Sequence, residues 1–198
     1  ATALALVLGT TIGLVAAYNR GKLDEVLMRS MDVILALPQI ISALIVISMF
    51  GASTMLIVLT VGVSTVPRIA RVVRGAAVSV VERDFVAAAE SLGESRFRIL
   101  RSELLPNVAA PLLVEANLRL TFSIALISGI AFLGFTADPG GANWGLMVNE
   151  NRPGLLGQSS WGVILPVIAI ALLTVGSGLV GDGLSRAAAG IDRAKGDA

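Results

Sequence analysis

The stretch ERDFVAAAESLGESRFRILRSELLPN, Glu82 to Asn107, carries nine charged residues in 26 positions, within a chain that is 55% hydrophobic. Phe85, Ala88, Ala89 and Leu92 recur in it at i, i+3, i+4 and i+7, one apolar face of a helix, while Glu82, Asp84 and Glu90 lie off that face. Gly93 ends this helix, as glycine does at a C-terminal cap. Glu94 and Ser95 open a second helix, with acidic charge at its positive end. Phe97, Leu100 and Leu104 give that helix a stripe of its own, and Glu94 with Arg98 forms an acid-first i, i+4 pair. Leu105-Pro106 stops it. The three alanines Ala87 to Ala89 keep the first face small, so another backbone can approach closely. Two readings of this pattern stand: a loop resting on the protein's own surface, or a docking helix for a soluble partner.

The surroundings of the stretch set its environment. The 198-residue chain is 15% charged and has a mean hydropathy of +0.84; soluble domains run to about 25% charged residues. Several windows approach the ~20 apolar residues that cross a bilayer as a helix. The fold class is therefore an all-α, polytopic membrane protein, a single transmembrane domain over residues 1–198. Five spans are expected: Ala1–Tyr18, Ser30–Phe50, Ser53–Val66, a fourth within Val108–Phe135, and Trp161–Leu184. The third is short and is expected either to continue through Pro67 towards Val73 or to borrow Gly51 and Ala52. The chain contains no Cys and no His, which removes thiol and imidazole chemistry and most zinc sites. No metal centre is expected, and nothing points to nucleic acid.

Charge distribution orients the spans. Arg20, Lys22 and Arg29 fall in one connection. Arg68, Arg71, Arg74, Arg83, Arg96, Arg98 and Arg101 fall in a second, residues 68–107, and Arg186, Arg193 and Lys195 in the tail. An alternating path puts these thirteen on one side and leaves only Arg152 opposite, in the Gly/Pro-rich loop 136–160. Cationic loops stay cytoplasmic, so 68–107 and the C-terminus are expected in the cytoplasm and 136–160 outside. Ala1 then lies outside, and one further N-terminal span is expected upstream, about six in all.

AAAESLGESRFRILRSELLPN resembles the EAA loop of binding-protein-dependent ABC importer permeases. In that loop a Glu-Ala-Ala triplet precedes a Gly at a fixed interval, and a Leu-Pro follows with its Pro thirteen positions after the Gly. Ala87-Ala88-Ala89, Gly93 and Leu105-Pro106 keep this spacing, with Ala87 where the motif's Glu normally stands. MRSMDVILALP (Met28–Pro38), VPRIARVVRGAAVSVVERDFVAAA (Val66–Ala89), FLGF (Phe132–Phe135), WGLM (Trp144–Met147) and GDGLSRAAAGID (Gly181–Asp192) are similar to the dipeptide/oligopeptide branch, its C-type subunit above all. That branch often has an acidic residue just before FLG; here the region reads Ile127-Ser128-Gly129, while Glu115 and Arg119 lie within the fourth span.

The resemblance implies a type I importer bundle in a bacterial inner membrane. Its partners would be a homologous second permease, two ABC ATPase subunits and an extracytoplasmic substrate-binding protein. ATP and magnesium would sit on the ATPases, and this chain would bind no cofactor and catalyse nothing. Phe85, Ala87, Ala88, Ala89, Leu92, Gly93, Leu105 and Pro106 would form the contact with one ATPase. The cargo would be short peptides, with glutathione or a nickel complex as alternatives.

Other residues admit plainer roles. Glu115 and Arg119 are spaced i, i+4, acid first; a structural ion pair, a place on the substrate pathway and snorkelling on the lipid side are all open, because ionisable groups in a span are costly and often functional. Pro38 and Pro166 read as kinks, Trp144 and Trp161 as an outer interfacial belt, and Asp182 as a partner for Arg186. An intramembrane protease would need a Ser–His pair, paired Asp residues or a metal site. A phosphate-cradling GxxxxGK[ST] is also missing from the sequence, so ATP hydrolysis would belong to partners. A secondary transporter or channel working without an ATPase would need coupling-ion carboxylates near the midplane and has no use for the Gly-elbow helix pair. The orientation is checked by cysteine labelling in intact cells: a cysteine at Ser95 should react only from the cytoplasm and one at Ser159 only from outside, and the reverse pattern would overturn the topology.

Overall fold

The structure is a computed structural model describing residues 1–156 and 160–196, with side chains described for 1–155 and 160–186. The expectations attached to Ser159, and to the side chains of Arg193 and Lys195, lie outside these described residues. The chain runs through α1 (Thr2–Asn19), α2 (Gly21–Leu35), α3 (Gln39–Phe50), α4 (Thr54–Val81) and α5 (Asp84–Ser91). A helical arm follows, made of α6 (Arg96–Arg98), a π turn (Ile99–Leu104) and α7 (Leu105–Asn107). Then come α8 (Ala109–Phe132), α9 (Trp144–Asn151), a 3-10 turn (Arg152–Leu156) and α10 (Trp161–Gly196).

Four helices, α1, α4, α8 and α10, are each long and apolar enough to cross a membrane, and α2 with α3 makes a fifth span if the bent pair is counted as one. The expected span Ser30–Phe50 is thus broken rather than kinked. α2 ends at Leu35, Pro38 sits at the N-cap of α3 with φ −57° and ψ 125°, and the two helices meet at 77°. Proline has no N–H to donate and disfavours helical geometry in the residue before it. Pro166, by contrast, lies inside continuous α10.

The third span is longer than its apolar run. α4 has 28 residues, about 42 Å at 1.5 Å per residue, against a hydrocarbon core of about 30 Å. It passes through Pro67 because a buried stripe continues beyond the proline: Ile69, Ala70, Val73, Ala77 and Val80 are all at most 5% exposed. Residues 68–81 are therefore helix, and the connection begins at Glu82.

Arg68, Arg71 and Arg74 consequently are rungs on α4. Arg74 donates from Nε and Nη2 to the two carboxylate oxygens of Asp24, both at 2.5 Å. Arg71 pairs with Asp32. Arg68 donates to Gln39 Oε1 at 2.6 Å, and the Gln39 amide donates to Ser64 and Thr65 at 3.0 Å each. This polar ladder holds α2 and the start of α3 antiparallel to α4; of the residues of α2, only Met31 is buried.

The most extensive helix contact is α1 against α4. It is seamed by Gly9 and Gly13, a GxxxG spacing on α1. A methyl group at Gly9 would come within 2.7 Å of Ile69 Cβ, and one at Gly13 within 2.6 Å of the Ala70 carbonyl oxygen. Ala16 and Ala17 continue the small-residue face towards the foot of α1. Apolar helices gain little from leaving lipid for each other, so close backbone approach through small residues carries their association. Below this seam, Val73, Ala77 and Val80 share one core cluster with Val86, Ile99, Leu104 and Val108. A second cluster joins Ala43 and Ile47 of α3 to Ile57 and Val61 of α4 and Ile130 of α8.

Gly13→Ala should accordingly lower the stability of the purified protein by about 1–3 kcal/mol, as overpacking does. The fraction folded in a denaturing-detergent titration measures this. Gly75→Ala is the matched control: a methyl group there meets nothing within 4 Å, so the better helix former should be neutral or slightly stabilising.

Candidate functional site

The connection after α4 is built from the end of α5 outward. Its first helix, Asp84–Ser91, stops at a two-bond cap: Gly93 N–H donates to the Glu90 carbonyl at 3.0 Å and Glu94 N–H to the Ala89 carbonyl at 3.1 Å. This is a Schellman motif, which requires a left-handed residue at Gly93's position; Gly93 has φ +78°. Ser95 then caps the arm by accepting from Arg98 N–H at 3.4 Å, and Glu94 faces Arg98 at 3.6 Å. At the far end Pro106 does not stop the helix as expected. It falls in α7 directly after the π turn, within a helical run that continues to Asn107; the break comes at Val108, with φ −103° and ψ 6°.

Burial divides the face expected from periodicity. Val86 is 1% exposed and sits in the core cluster, with Phe85 and Ala89 half-buried against it. Ala87, Ala88 and Gly93 are exposed, and Leu92 is 83% exposed. The helix therefore anchors through Phe85, Val86 and Ala89 and presents Ala87, Ala88 and Leu92 outward. Phe97, at 71% exposed, also faces out, while Ile99 and Leu104 are fully buried beneath the arm. Leu105 is half-buried and Pro106 exposed. Val86 is the residue that periodicity missed. The signal was present as a second i, i+3 relation, Val86 to Ala89, which competes with Phe85 to Ala88 for the inward side.

One hydrogen bond and one close approach link this surface to the spans. Arg20, at the α1–α2 corner, donates to Glu82 at 3.1 Å. Both side chains are more than half exposed, so the pair positions more than it stabilises. Glu90 faces Tyr18 at the foot of α1.

Glu115 and Arg119 are brought together on α8, with Arg119 Nε 2.7 Å from Glu115 Oε1. Their side chains are 7% and 14% exposed. The contact is one of charge, since neither atom makes an aligned hydrogen bond; the Arg119 guanidinium also lies over the Phe122 ring, 5.3 Å from its centroid. Asp182 does not use Arg186. Asn117 of α8 donates to Asp182 and to the Gly178 carbonyl, each at 3.0 Å. Asn117 reaches α10 because Gly181 has no side chain there: a Cβ would come within 2.0 Å of the amide.

At the opposite end of α8 the FLGF and WGLM segments meet. Gly134, at φ +89°, closes α8 with the same two-bond cap, donating to Ala131 while Phe135 N–H donates to Ile130. Asn143 caps α9 by accepting from Gly145 and Leu146, and Asn149 donates to the Phe132 carbonyl at 2.6 Å. Trp144 and Trp161 are 43% and 64% exposed. Residues 144–156, expected as irregular loop, are helical.

Comparisons with known proteins fit this geometry. Residues 9–189 match the family described as binding-protein-dependent transport system inner membrane component. The chain is 33% identical over 180 residues to the dipeptide transport system permease protein DppC of Alkalihalophilus pseudofirmus, covering 91% of this chain and 59% of that protein. It is 33% identical over 179 residues to the glutathione transport system permease protein GsiD of Pectobacterium atrosepticum, covering 90% of this chain and 59% of that one. A putative peptide transport system permease protein of Brucella suis is 35% identical over 181 residues, 91% of this chain and 60% of its own length. The chain thus spans about three fifths of the length of these relatives. In fold it is similar to a chain of the MetNI methionine ABC transporter solved in inward-facing conformations, with a TM-score of 0.76 and 18% identity over 94% of this chain and 88% of that one. With nearly the whole chain matched and several relatives above 30% identity, this protein belongs to the family of binding-protein-dependent transport system inner membrane components, the permeases of ABC importers.

Proposed function

We propose that this permease forms half of the translocation pathway of an ATP-driven importer for short peptides, and that α5 is its contact with a cytoplasmic ATPase. The observation that carries the reading is the division of α5. Its inner side is fastened to the core cluster of α4 and the arm, while its outer side is a small, exposed apolar patch of Ala87, Ala88 and Leu92. A partner that packs on that patch pushes on the spans through Val86. ATP and magnesium are held by the ATPases, a homologous permease completes the pathway, and an extracytoplasmic binding protein delivers the cargo. Closure of the ATPases then rocks the spans between inward- and outward-open states. The peptide assignment rests on the relatives, most of them dipeptide or peptide permeases; a glutathione permease at similar identity keeps that tripeptide as the second cargo.

The experiment is a co-purification from membranes, followed by uptake in reconstituted vesicles. Ala88→Asp places a charge where a partner would exclude water, and burying it unpaired costs several kcal/mol. ATPase subunits should be lost from the complex, with uptake falling at least tenfold, while membrane insertion and pairing with the second permease survive. Gly93→Pro should act similarly, because proline is held near φ −65° and the cap needs +78°. Glu90→Gln, off the patch, should be mild. Phe85→Ala should lower thermal stability as well, because this ring packs inward. Undiminished ATPase assembly and uptake in Ala88→Asp would show that α5 is not the coupling element.

A further inference from the structure

Alongside the α1–α4 seam, the other flank of α1 borders an open slot of about 480 Å³. Leu6, Thr10 and Leu14 of α1 form one wall and Leu100, Leu105 and Leu112 of the arm and α8 the other. From Leu6 to Val15 the slot follows ten residues of α1, a rise of about 14 Å. Its surface is almost wholly apolar, with Arg101 the charged exception. Arg101 lines the slot from the π turn and is exposed; like Lys22, Arg29, Arg83 and Arg96 it has no ion-pair partner among the described residues, and it is the cation that borders this slot. The π turn precedes α7 and α8 while α1 descends towards Asn19, so Arg101 and Phe97 lie at the Leu14–Val15 end of the slot.

We infer that this slot holds one anionic phospholipid, its acyl chain along Leu6–Leu14 and its phosphate on Arg101. The shape and the charge agree with that occupant. An apolar trough parallel to a span accepts a chain, and a single unpaired arginine at the membrane surface accepts a phosphate diester. Basic pockets at the cytoplasmic ends of spans bind anionic headgroups in this way. A soluble anion would leave the trough uncovered, and a zwitterionic lipid would leave Arg101 competing with the headgroup's own cation. The inference rests on the cytoplasmic orientation proposed for the arm, which cysteine labelling tests separately.

The test uses the full complex in nanodiscs containing equal parts of phosphatidylglycerol and phosphatidylcholine, followed by mild detergent extraction and native mass spectrometry of retained lipid. Phosphatidylglycerol should be retained in preference. Arg101→Gln should reduce that preference about fivefold, the effect expected of one surface cation on an anionic lipid, while ATPase assembly stays intact. Thr11→Trp, at an exposed position lining the trough, should displace both lipids. A photo-crosslinking amino acid at Thr11 should capture lipid. Equal retention of the two lipids, an Arg101→Gln variant that retains as much phosphatidylglycerol as the wild type, or a crosslink from Thr11 to polypeptide would overturn the assignment, the last by showing the slot filled by a protein segment.

Discussion

The close approach of α1 to α4 is the constraint on which the rest of the structure depends. Two apolar helices in lipid have no hydrophobic reason to prefer each other over acyl chains. Gly9 and Gly13 remove the side chains that would keep the backbones apart, so Ile69, Ala70 and Val73 pack directly onto α1. Once α4 is fixed in this way, its stripe continues past Pro67 and below the apolar region to Val80. The cluster that begins in the seam ends at Val86, Ile99 and Leu104. The exposed connection is thus an extension of the same packed body as the spans.

Polar groups add to the fastening, and each works because its partner is a neighbouring helix. The α2–α3 elbow exposes much of its apolar surface; α3 packs Ala43 and Ile47 on α4 and α8, while α2 and the start of α3 are held to α4 by the ladder of Asp24, Asp32 and Gln39 against Arg74, Arg71 and Arg68. α10 is tied to α8 by Asn117, in a notch that Gly181 leaves open. Hydrogen bonds of this kind contribute roughly 1 kcal/mol each between membrane helices, so they select a register more than they supply bulk stability.

The outward surface of α5 gains meaning from its inner side. Ala87, Ala88 and Leu92 on a frayed loop would offer a partner nothing to push against. Here the Schellman cap at Gly93 ends the helix at a defined angle, Val86 plugs it into the core, and Arg20–Glu82 and Glu90–Tyr18 mark its two contacts with the α1 end. In the coupling role proposed for α5, a load on these three side chains would reach α4 and α1 through close-packed atoms, because protein interiors have little spare volume.

Composition and period alone determined the membrane class, the approximate place of each span, the helix–glycine–helix order of the charged connection and the end of its first helix at Gly93. All of these are local: hydropathy summed over a window, spacing along one helix, and the unique freedom of glycine. The motif spacing carried the family as well, since it records those same local demands. What only the tertiary structure decided depended on which surfaces meet. Arg68, Arg71 and Arg74 were legible as cationic and as a topological signal, but their roles as rungs require knowing that α2 lies antiparallel to α4. Asp182 had a sequence-near candidate in Arg186, and the fold gave it Asn117, because α8 passes over Gly181. Periodicity placed Phe85 and Ala89 on the same face as Ala88 and Leu92, yet a short helix lying on a core buries one narrow strip. Which strip it buries is set by the neighbour, here the lower end of α4, and not by the helix itself.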